Sequence, residues 1–199
     1  MFLVIDFEAT CWKDNLANVK NPQNEIIEVG AVLVGNDYKV IGSTYCFIKP
    51  TINTVLSNFC KELTTITQDQ IDNADVFYIA WPAFQKDIES LTNERFEDIV
   101  FCSWGYYDKK QLAKDCKLHN IPFPFKYHFS VKHEFATRRK IKPCGVSKAI
   151  KFLDMEFDGT LHRGIDDARN IAKIFIKEWA KDGFKVEEKH KCNVEELMK

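Results

Sequence analysis

The sequence of 199 residues lacks a long apolar run, a targeting peptide and a strong net charge. No apolar stretch approaches the roughly 20 residues that a membrane-spanning helix needs, so we expect no contact with a membrane. The first residues already form a strand-like run with an acid at position 6, which argues against a signal or transit peptide and favours a cytoplasmic location. The formal net charge of −1 at pH 7 gives no global basic field for nucleic acid, although a local one remains open.

The cysteines form no C-x-x-C pair and show no ligand spacing typical of a structural zinc site. The seven positions are Cys11, Cys46, Cys60, Cys102, Cys116, Cys144 and Cys192. Because most of them lie in apolar stretches, we expect buried, reduced thiols in a reducing compartment.

Short basic runs are the remaining signal for a charged partner. Lys109–Lys110, Lys132 and Arg138–Lys140 could form a rim around an acidic pocket and meet the phosphates of a nucleic acid. They could equally be solvated faces, which is the commoner role of such runs. The sequence leaves both interpretations open.

Apolar periodicity predicts one α/β domain. Strands are predicted over 2–9, 25–34, 40–48 and 98–104, and helices over 65–74, 79–92, 108–119, 145–153 and 166–180. The turn-forming stretch VGNDYK joins the second and third strands into a hairpin. Thr67 is a candidate N-cap, and Pro82 is expected in the first turn of its helix, where proline is tolerated. This order predicts a mixed central sheet with helices on both faces over 1–181, followed by a charged, partly frayed tail over 182–199.

Two acids interrupt the first apolar run, within the segment VIDFEATCW over 4–12. Alternate residues of a strand share a face, so Asp6 and Glu8 point the same way. Two adjacent carboxylates cannot both ionise at low cost when they are buried, so they hold either a proton or a cation. Their oxygens suit Mg²⁺ or Mn²⁺, although many strands simply end in acids that face water.

Asp108 follows the strand over 98–104 through a glycine-containing turn and opens a helix. An acid at a helix start can be a simple cap that the helix dipole favours. Asp108 also shares a helix face with Leu112 and Cys116, and it lies at the carboxyl end of a strand, where ligand sites occur. We therefore expect its side chain to face inward.

The segment LHRGIDDARNIAKIFIKEW supplies two more acids and a histidine at one helix start. Helical spacing gives an apolar stripe of Asp167, Ile171, Ile174, Phe175 and Glu178, and a water-facing stripe of Asp166, Asn170, Lys173 and Lys177. Asp167 is therefore the acid expected to face the core. His162 lies in the preceding loop, where a histidine is often merely exposed. Beside an inward acid it becomes a candidate general base, because histidine ordinarily titrates near neutrality.

The order of these residues resembles the DEDDh 3′–5′ exonucleases, which have D-x-E on the first strand, a central Asp and a final H-x(4)-D. The segments DFEATCW, NEIIEVGAVLV, LSNFCKELTTITQDQIDNA and HRGIDDARNIA are similar to the Eri-type branch, which includes the 3′ histone-mRNA exonuclease and bacterial relatives. The resemblance covers residues 2 to about 178, and it implies a ribonuclease H-like exonuclease domain over 1–181. Thr65 departs from the pattern, because that branch usually has glycine in its L-T-G-I-T turn.

The resemblance implies a two-metal mechanism with Mg²⁺ or Mn²⁺. It assigns one ion to Asp6, Glu8 and Asp167. It also assigns a second ion to Asp6 with help from Asp108, and it makes His162 the group that takes the proton from the attacking water. The implied reaction is 3′–5′ hydrolysis of single-stranded or overhanging RNA, with DNA possible, releasing nucleoside 5′-monophosphates.

The resemblance also implies contacts to the terminal nucleotide. It assigns the sugar to backbone groups of Ala9 and Thr10. It assigns the base to Phe59 and Leu63, which would sandwich or wedge it, and to Tyr107, which would stack on it. Phe59 and Leu63 also suit ordinary core packing, since they are four residues apart.

Two alternatives to an active exonuclease remain open from the sequence. The chain could be a nucleic-acid-binding or regulatory module that kept the fold and lost turnover, although the intact set of acids argues against that. It could also be a phosphatase or a degrader of very short oligonucleotides, which shares the metal chemistry and differs in pocket length. The expected partner is a single-stranded RNA or DNA 3′ end.

Overall fold

A computed structural model describes residues 1–13 and 23–198 of the chain. Residues 14–22 of the predicted domain and Lys199 of the predicted tail lie outside the described residues. Within these ranges, five strands form one sheet that is surrounded by α-helices. The strands are β1 (Phe2–Ala9), β2 (Ile26–Val34), β3 (Val40–Phe47), β4 (Val100–Ser103) and β5 (His128–Ser130). The helices are α1 (Asn58–Thr64), α2 (Gln68–Asp72), α3 (Phe77–Ser90), α4 (Tyr107–Leu118), α5 (Val131–Arg139), α6 (Val146–Phe152), α7 (Gly164–Trp179) and α8 (Val194–Leu197).

The sheet is mixed, as predicted, and has the strand order β3-β2-β1-β4-β5. β1 pairs antiparallel with β2, and β2 pairs antiparallel with β3, which forms the predicted hairpin. β1 pairs in parallel with β4, and β4 pairs in parallel with β5. The central position of β1 explains its continuous apolar run, because a central strand is covered on both faces.

Helices cover both faces of the sheet, which confirms the predicted fold class. On one face, Leu3 belongs to a core that includes Trp81 of α3 and the buried side of α4. On the other face, Val4 belongs to a core that includes Phe175 of α7. Neighbouring residues of β1 thus serve opposite faces, as strand geometry requires. A smaller cluster around Cys60 joins α1 and α2 to the sheet.

The sequence pattern missed α1, β5, α5 and α8. Each has fewer than ten residues, so too few turns or alternations are present to reveal a period. The helix predicted over 65–74 is α2, and Thr67 caps it in a capping box with Gln70. The prediction for Pro82 was wrong, because α3 begins at Phe77 and Pro82 lies in its second turn. Pro82 removes the helical hydrogen bond to the carbonyl of Tyr78, a residue that is exposed to water.

The charged segment after residue 181 packs against the rest of the domain. Lys191 pairs with Tyr127 in an isolated bridge, and the N–H of Cys192 donates to the Lys126 carbonyl at 2.8 Å. His190 and Cys192 are buried. The sequence gives no signal for these contacts, because single buried residues in a charged stretch show no periodicity.

All seven cysteines are free thiols, as predicted, and four of them are buried. Among the described helices, none combines the length and the hydropathy needed to cross a bilayer.

Candidate active site

Three carboxylates meet at the carboxyl end of β1. Asp6 and Glu8 lie on the strand, and Asp167 reaches them from the first turn of α7. One carboxylate oxygen from each residue lies within 4.8 Å of the other two. Carboxylate oxygens are the ligands that Mg²⁺ and Mn²⁺ prefer, so this donor set fits a hard divalent ion. The sequence placed these acids on separate elements, and the fold brings them together.

Asp108 adds a fourth acid from the start of α4. Its Oδ1 accepts a hydrogen bond from the N–H of Phe7, on the strand that carries the acid pair, at 3.1 Å. The residue is 4% exposed and lines the same cavity as the other three acids. Leu112 and Cys116 behind it are fully buried. The prediction that Asp108 faces inward is therefore confirmed.

The four acids disfavour one another's ionised forms. Burial in the cleft raises the pKa of Asp6 well above its usual range, and the neighbouring acids, Asp108 first, add to the effect. Burial likewise raises the pKa of Glu8 to about 8, and those of Asp108 and Asp167 to about 6 each. Hydrogen bonds from backbone N–H groups oppose the rise for Asp108 and Asp167. Such a cluster binds either protons or cations, which is the electrostatic character of a metal site.

His162 lies at the edge of the acidic cleft. Its N–H donates to Oδ2 of Asp167 at 2.7 Å, and its backbone has a φ of 62°. This left-handed conformation is uncommon for residues other than glycine, and here the bond to Asp167 helps to hold it. The exposed imidazole lines the cavity that the four acids share. The imidazole is therefore accessible from solvent beside the acids.

Glu28 and Arg163 form a buried pair that the sequence reading missed. Glu28 lies directly opposite Glu8 on β2 and is fully buried. Its carboxylate accepts hydrogen bonds from the guanidinium of Arg163 at 3.2 Å and from the N–H of Gly164 at 3.1 Å. The pair thus ties the start of α7, and with it Asp167, to the sheet. A buried acid inside the apolar run EIIEVGAVLV was the available signal.

The two acids at the start of α7 differ as predicted, with one correction. Asp167 and the rest of its predicted apolar stripe are buried. Asp166 is half-buried and accepts hydrogen bonds from Thr160 and Arg169 at the surface. The placement of Asn170 on the water-facing stripe was wrong, because it is fully buried. Its amide donates to the carbonyl of Asp158 at 2.8 Å and fixes the loop that leads to the cleft.

The acidic cavity has a volume of about 410 Å³ and includes residues from outside the acid set. Tyr107 lines it and is 53% exposed, and its role as a base contact stays a prediction. Trp104, Val146 and Leu161 also line it and were not predicted. They come from loops and from the short helix α6, where hydrophobic periodicity is too short to predict which residues face inward. The cleft therefore combines carboxylates with aromatic and apolar walls.

The other predicted nucleotide contacts lie beyond the lining of this cavity. Ala9 and Thr10 are buried at the end of β1, where Oγ1 of Thr10 accepts a hydrogen bond from the N–H of Glu25 at 3.0 Å. Phe59 and Leu63 are half-buried on α1. That helix contacts the end of β1, since the Cys60 thiol donates to the Ala9 carbonyl at 3.8 Å. The substrate roles of these four residues remain predictions.

The predicted basic runs have different surroundings. Arg139 forms a bidentate pair with the buried carboxylate of Glu178, and Arg138 pairs with Asp182. These arginines are therefore neutralised away from the cleft. Lys109 and the adjacent Lys110 lie instead on α4, next to Tyr107 and Asp108 at the cleft.

Comparison with known proteins gives a consistent result. Residues 3–175 match the RNase_T family, described as exonuclease. The chain is 32% identical over 206 residues to 3'-5' exoribonuclease 1 of Homo sapiens, covering 98% of this chain and 56% of that protein. It is 30% identical to the 3'-5' exonuclease Snipper of Drosophila melanogaster, covering 88% of this chain and 68% of that protein. The chain thus spans little more than half the length of the first of these relatives.

A solved structure shares the fold. The nuclease domain of 3'hExo, a DEDDh family member bound to rAMP, superposes with a TM-score of 0.79 at 31% identity. The superposition covers 88% of this chain and 90% of that domain. The resemblance noted in the sequence therefore extends to three dimensions. The chain belongs to the exonuclease family, in its DEDDh, Eri-like branch.

Proposed function

We propose that this chain is a metal-dependent 3′–5′ exonuclease that releases nucleoside 5′-monophosphates from single-stranded or overhanging RNA. The observation that carries the proposal is the convergence of Asp6, Glu8 and Asp167 within 4.8 Å of one another, beside Asp108 and an exposed His162. The exonuclease fold of this family is divalent-metal dependent. Bound divalent ions would lower the pKa of an attacking water and neutralise charge on the phosphate and the leaving oxygen.

The chain's own residues have separable tasks in this reaction. Asp6, Glu8 and Asp167 would hold one ion, and Asp6 with Asp108 would hold the second. The imidazole of His162, at the open edge of the cleft, accepts the proton of the attacking water and passes it to solvent. The ring of Tyr107 offers a stacking surface for the terminal base, an interaction worth roughly 1–3 kcal/mol that tolerates any base.

RNA is the favoured substrate class. The relatives include proteins named 3'-5' exoribonuclease, and the related nuclease domain was solved with rAMP, a ribonucleoside monophosphate. The cavity of about 410 Å³ holds a single nucleotide more readily than a duplex end, which suits removal of one residue at a time. DNA remains a possible substrate in this proposal.

Digestion of a 5′-labelled single-stranded RNA with Mn²⁺ or Mg²⁺ tests the proposal. We expect a ladder of progressively shorter products and a 5′-monophosphate as the small product. His162→Ala and Asp167→Asn should each lower the rate by at least about 10²-fold, because a general base and a metal ligand are lost. Asp154→Asn, a change at an exposed acid outside the cavity lining, is the matched control and should leave the rate unchanged.

Two results would contradict the proposal. Tight RNA binding by the wild-type chain without shortening at any metal concentration would identify a binding module. Cleavage that starts inside the strand, or that survives in Asp167→Asn, would assign the chemistry to other groups.

A further inference from the structure

A second cavity, outside the acidic cleft, concentrates lysines. It has a volume of about 470 Å³ and lies between α4 and the C-terminal segment. We call it the lysine groove, and its charged lining consists of Lys109, Lys110, Lys114, Lys191 and Glu196. Its lining thus holds four cations and one carboxylate, and only Lys191 of the four has an ion pair, with Glu188 at 3.5 Å. The net charge of the whole protein is −1. Clustering of one sign in a concave surface focuses the potential on an oppositely charged ligand.

The three α4 lysines that line the groove, Lys109, Lys110 and Lys114, form no ion pair among the described residues. Lys109 lies over the ring of Tyr106 at 5.3 Å, and neither Lys110 nor Lys114 forms an ion pair. This contrasts with Arg138 and Arg139, whose charges are matched by carboxylates. Charges left without internal partners in a concave surface suit an external anion.

The C-terminal segment builds the second wall of the groove. The buried Cys192 and the bridge between Lys191 and Tyr127 anchor it against the domain. Lys191 is held opposite α4 by these contacts. The groove is therefore a product of the tertiary fold and not of one basic run in the sequence.

The lysine groove adjoins the acidic cleft at the start of α4. Tyr106 lines the groove, whereas its neighbour Tyr107 lines the cleft. The ring of Tyr106 is stacked on His133 with 4.6 Å between centroids, and Oγ of Ser130 hydrogen-bonds that imidazole at 2.7 Å. The junction between the two cavities is thus held in place. A polyanion whose end enters the cleft can continue directly into the groove.

We infer that the lysine groove binds the sugar-phosphate backbone of the RNA strand whose 3′ end occupies the acidic cleft. The inference rests on the proposed function, and it names where the strand runs. The groove supplies attraction that the acidic cleft, which repels a polyanion, does not supply. The proposed occupant is a nucleic acid, because a single strand can place its 3′ end in the cleft and its backbone phosphates in the groove at the same time.

The length of the groove sets the substrate length at which it acts. From Tyr107 to Lys114, α4 rises about 10 Å at 1.5 Å per residue. That distance matches roughly three nucleotides at the 3.4 Å spacing of a stacked strand. On the same scale Lys110 lies about 4.5 Å from Tyr107, just beyond one nucleotide spacing. The lysines should therefore have no effect on a substrate of about two nucleotides and an effect on longer ones.

The test compares Lys110→Gln/Lys114→Gln with the control Lys177→Gln/Lys181→Gln, which removes two exposed lysines, also four residues apart, around α7. The substrates are single-stranded RNAs of about 12 and about 2 nucleotides, between about 50 and 200 mM KCl. For the longer RNA, we expect the α4 variant to lower kcat/KM about tenfold at the higher salt. The slope of log(kcat/KM) against log[KCl] should become shallower by about 1.4, since each phosphate contact contributes about 0.7. The shorter RNA and the control variant should match the wild type.

The outcomes separate this inference from the proposed function. If the wild type shortens neither RNA, the proposed function fails. If it shortens both, while the α4 variant keeps the wild-type slope and rate, the inference about the groove is overturned. It is also overturned if a polyglutamate peptide binds the wild type but not the α4 variant while RNA digestion is unaffected, because the groove then takes an acidic protein.

Discussion

Gly30 of β2 and Gly164 at the start of α7 lie backbone against backbone. A Cβ atom at Gly30 would lie 2.0 Å from the carbonyl carbon of Gly164, and one at Gly164 would lie 3.0 Å from the carbonyl oxygen of Asp6. No side chain fits at the first position. The absence of both side chains lets the first turn of α7 approach the sheet closely enough for Asp167 to reach the acid pair.

We therefore predict that Gly30→Ala destabilises the protein and weakens metal binding together. The added methyl forces α7 away from the sheet, and overpacking of this kind costs typically 1–3 kcal/mol or more. Gly42→Ala on β3 is the control, since its Cβ would make only an ordinary contact of 3.6 Å. Urea unfolding with and without Mn²⁺ measures both effects. A Gly30→Ala protein with wild-type stability and wild-type Mn²⁺ affinity would disprove the role of this contact.

Arg163 should be important for both stability and activity. Its removal in Arg163→Ala leaves the fully buried carboxylate of Glu28 without its cation, beside Glu8. Breaking a buried pair costs about 3–5 kcal/mol, and the partial exposure of Arg163 reduces this to roughly 2–3 kcal/mol. The double variant Arg163→Ala/Glu28→Gln should regain part of the loss, because the unpaired charge is gone. Equal destabilisation in the single and double variants would contradict this account.

The sequence predicted the structure best where an apolar pattern extended over many residues or where an acid interrupted an apolar run. The apolar run of β1 and the stripe of α7 predicted two elements and the faces on which their acids lie. The convergence itself came from the resemblance, because spacing along one element says nothing about distance to another. The inward orientation of Asp108 and Asp167 was predicted without the resemblance, because both acids share a helix face with apolar residues.

Other features could not be read from the sequence because they depend on tertiary contacts. The partnership of Glu28 with Arg163 joins residues 135 positions apart. The close approach of Gly30 to α7 and the burial of Asn170 likewise arise only after α7 docks on the sheet. Short elements such as β5 carry too few residues for a pattern.

Thr65 occupies the position where the Eri-type branch usually has glycine. The backbone conformation at Thr65 explains why glycine suits this position. It ends α1 in the left-handed conformation with a φ of 60°. That conformation costs a non-glycine residue roughly 1–2 kcal/mol, and a β-branched side chain makes it less favourable. Thr65→Gly should therefore stabilise the protein by about 0.5–1 kcal/mol, after the greater freedom of glycine in the unfolded chain is subtracted.

Urea unfolding measures this change in stability, and Thr54→Gly, a substitution at an exposed threonine, is the control. Loss of stability in Thr65→Gly would show that the threonine side chain makes a contact worth more than the strain.

The acid cluster should make stability depend on pH and metal in a coupled way. The pKa values of Asp108 and Asp167 are raised by burial to about 6 and that of Glu8 to about 8, whereas unfolded acids titrate near 4. Between the unfolded pKa near 4 and the folded pKa values of about 6 to 8, the folded protein binds more protons than the unfolded chain. Without metal, the stability of the fold therefore falls as the pH rises from about 4 to about 8. A divalent ion offsets the repulsion, and at about 100 times its Kd it adds about 2.7 kcal/mol. The increase in Tm on adding Mg²⁺ should therefore be larger near pH 8 than near pH 5.

Glu8 has the highest pKa of the three acids Glu8, Asp108 and Asp167, so in Glu8→Gln the Tm measured in chelator should vary less with pH. A Tm in chelator that rises steadily over this range, or one that is indifferent to Mg²⁺ at pH 8, would show that the acids are not held together in the folded protein.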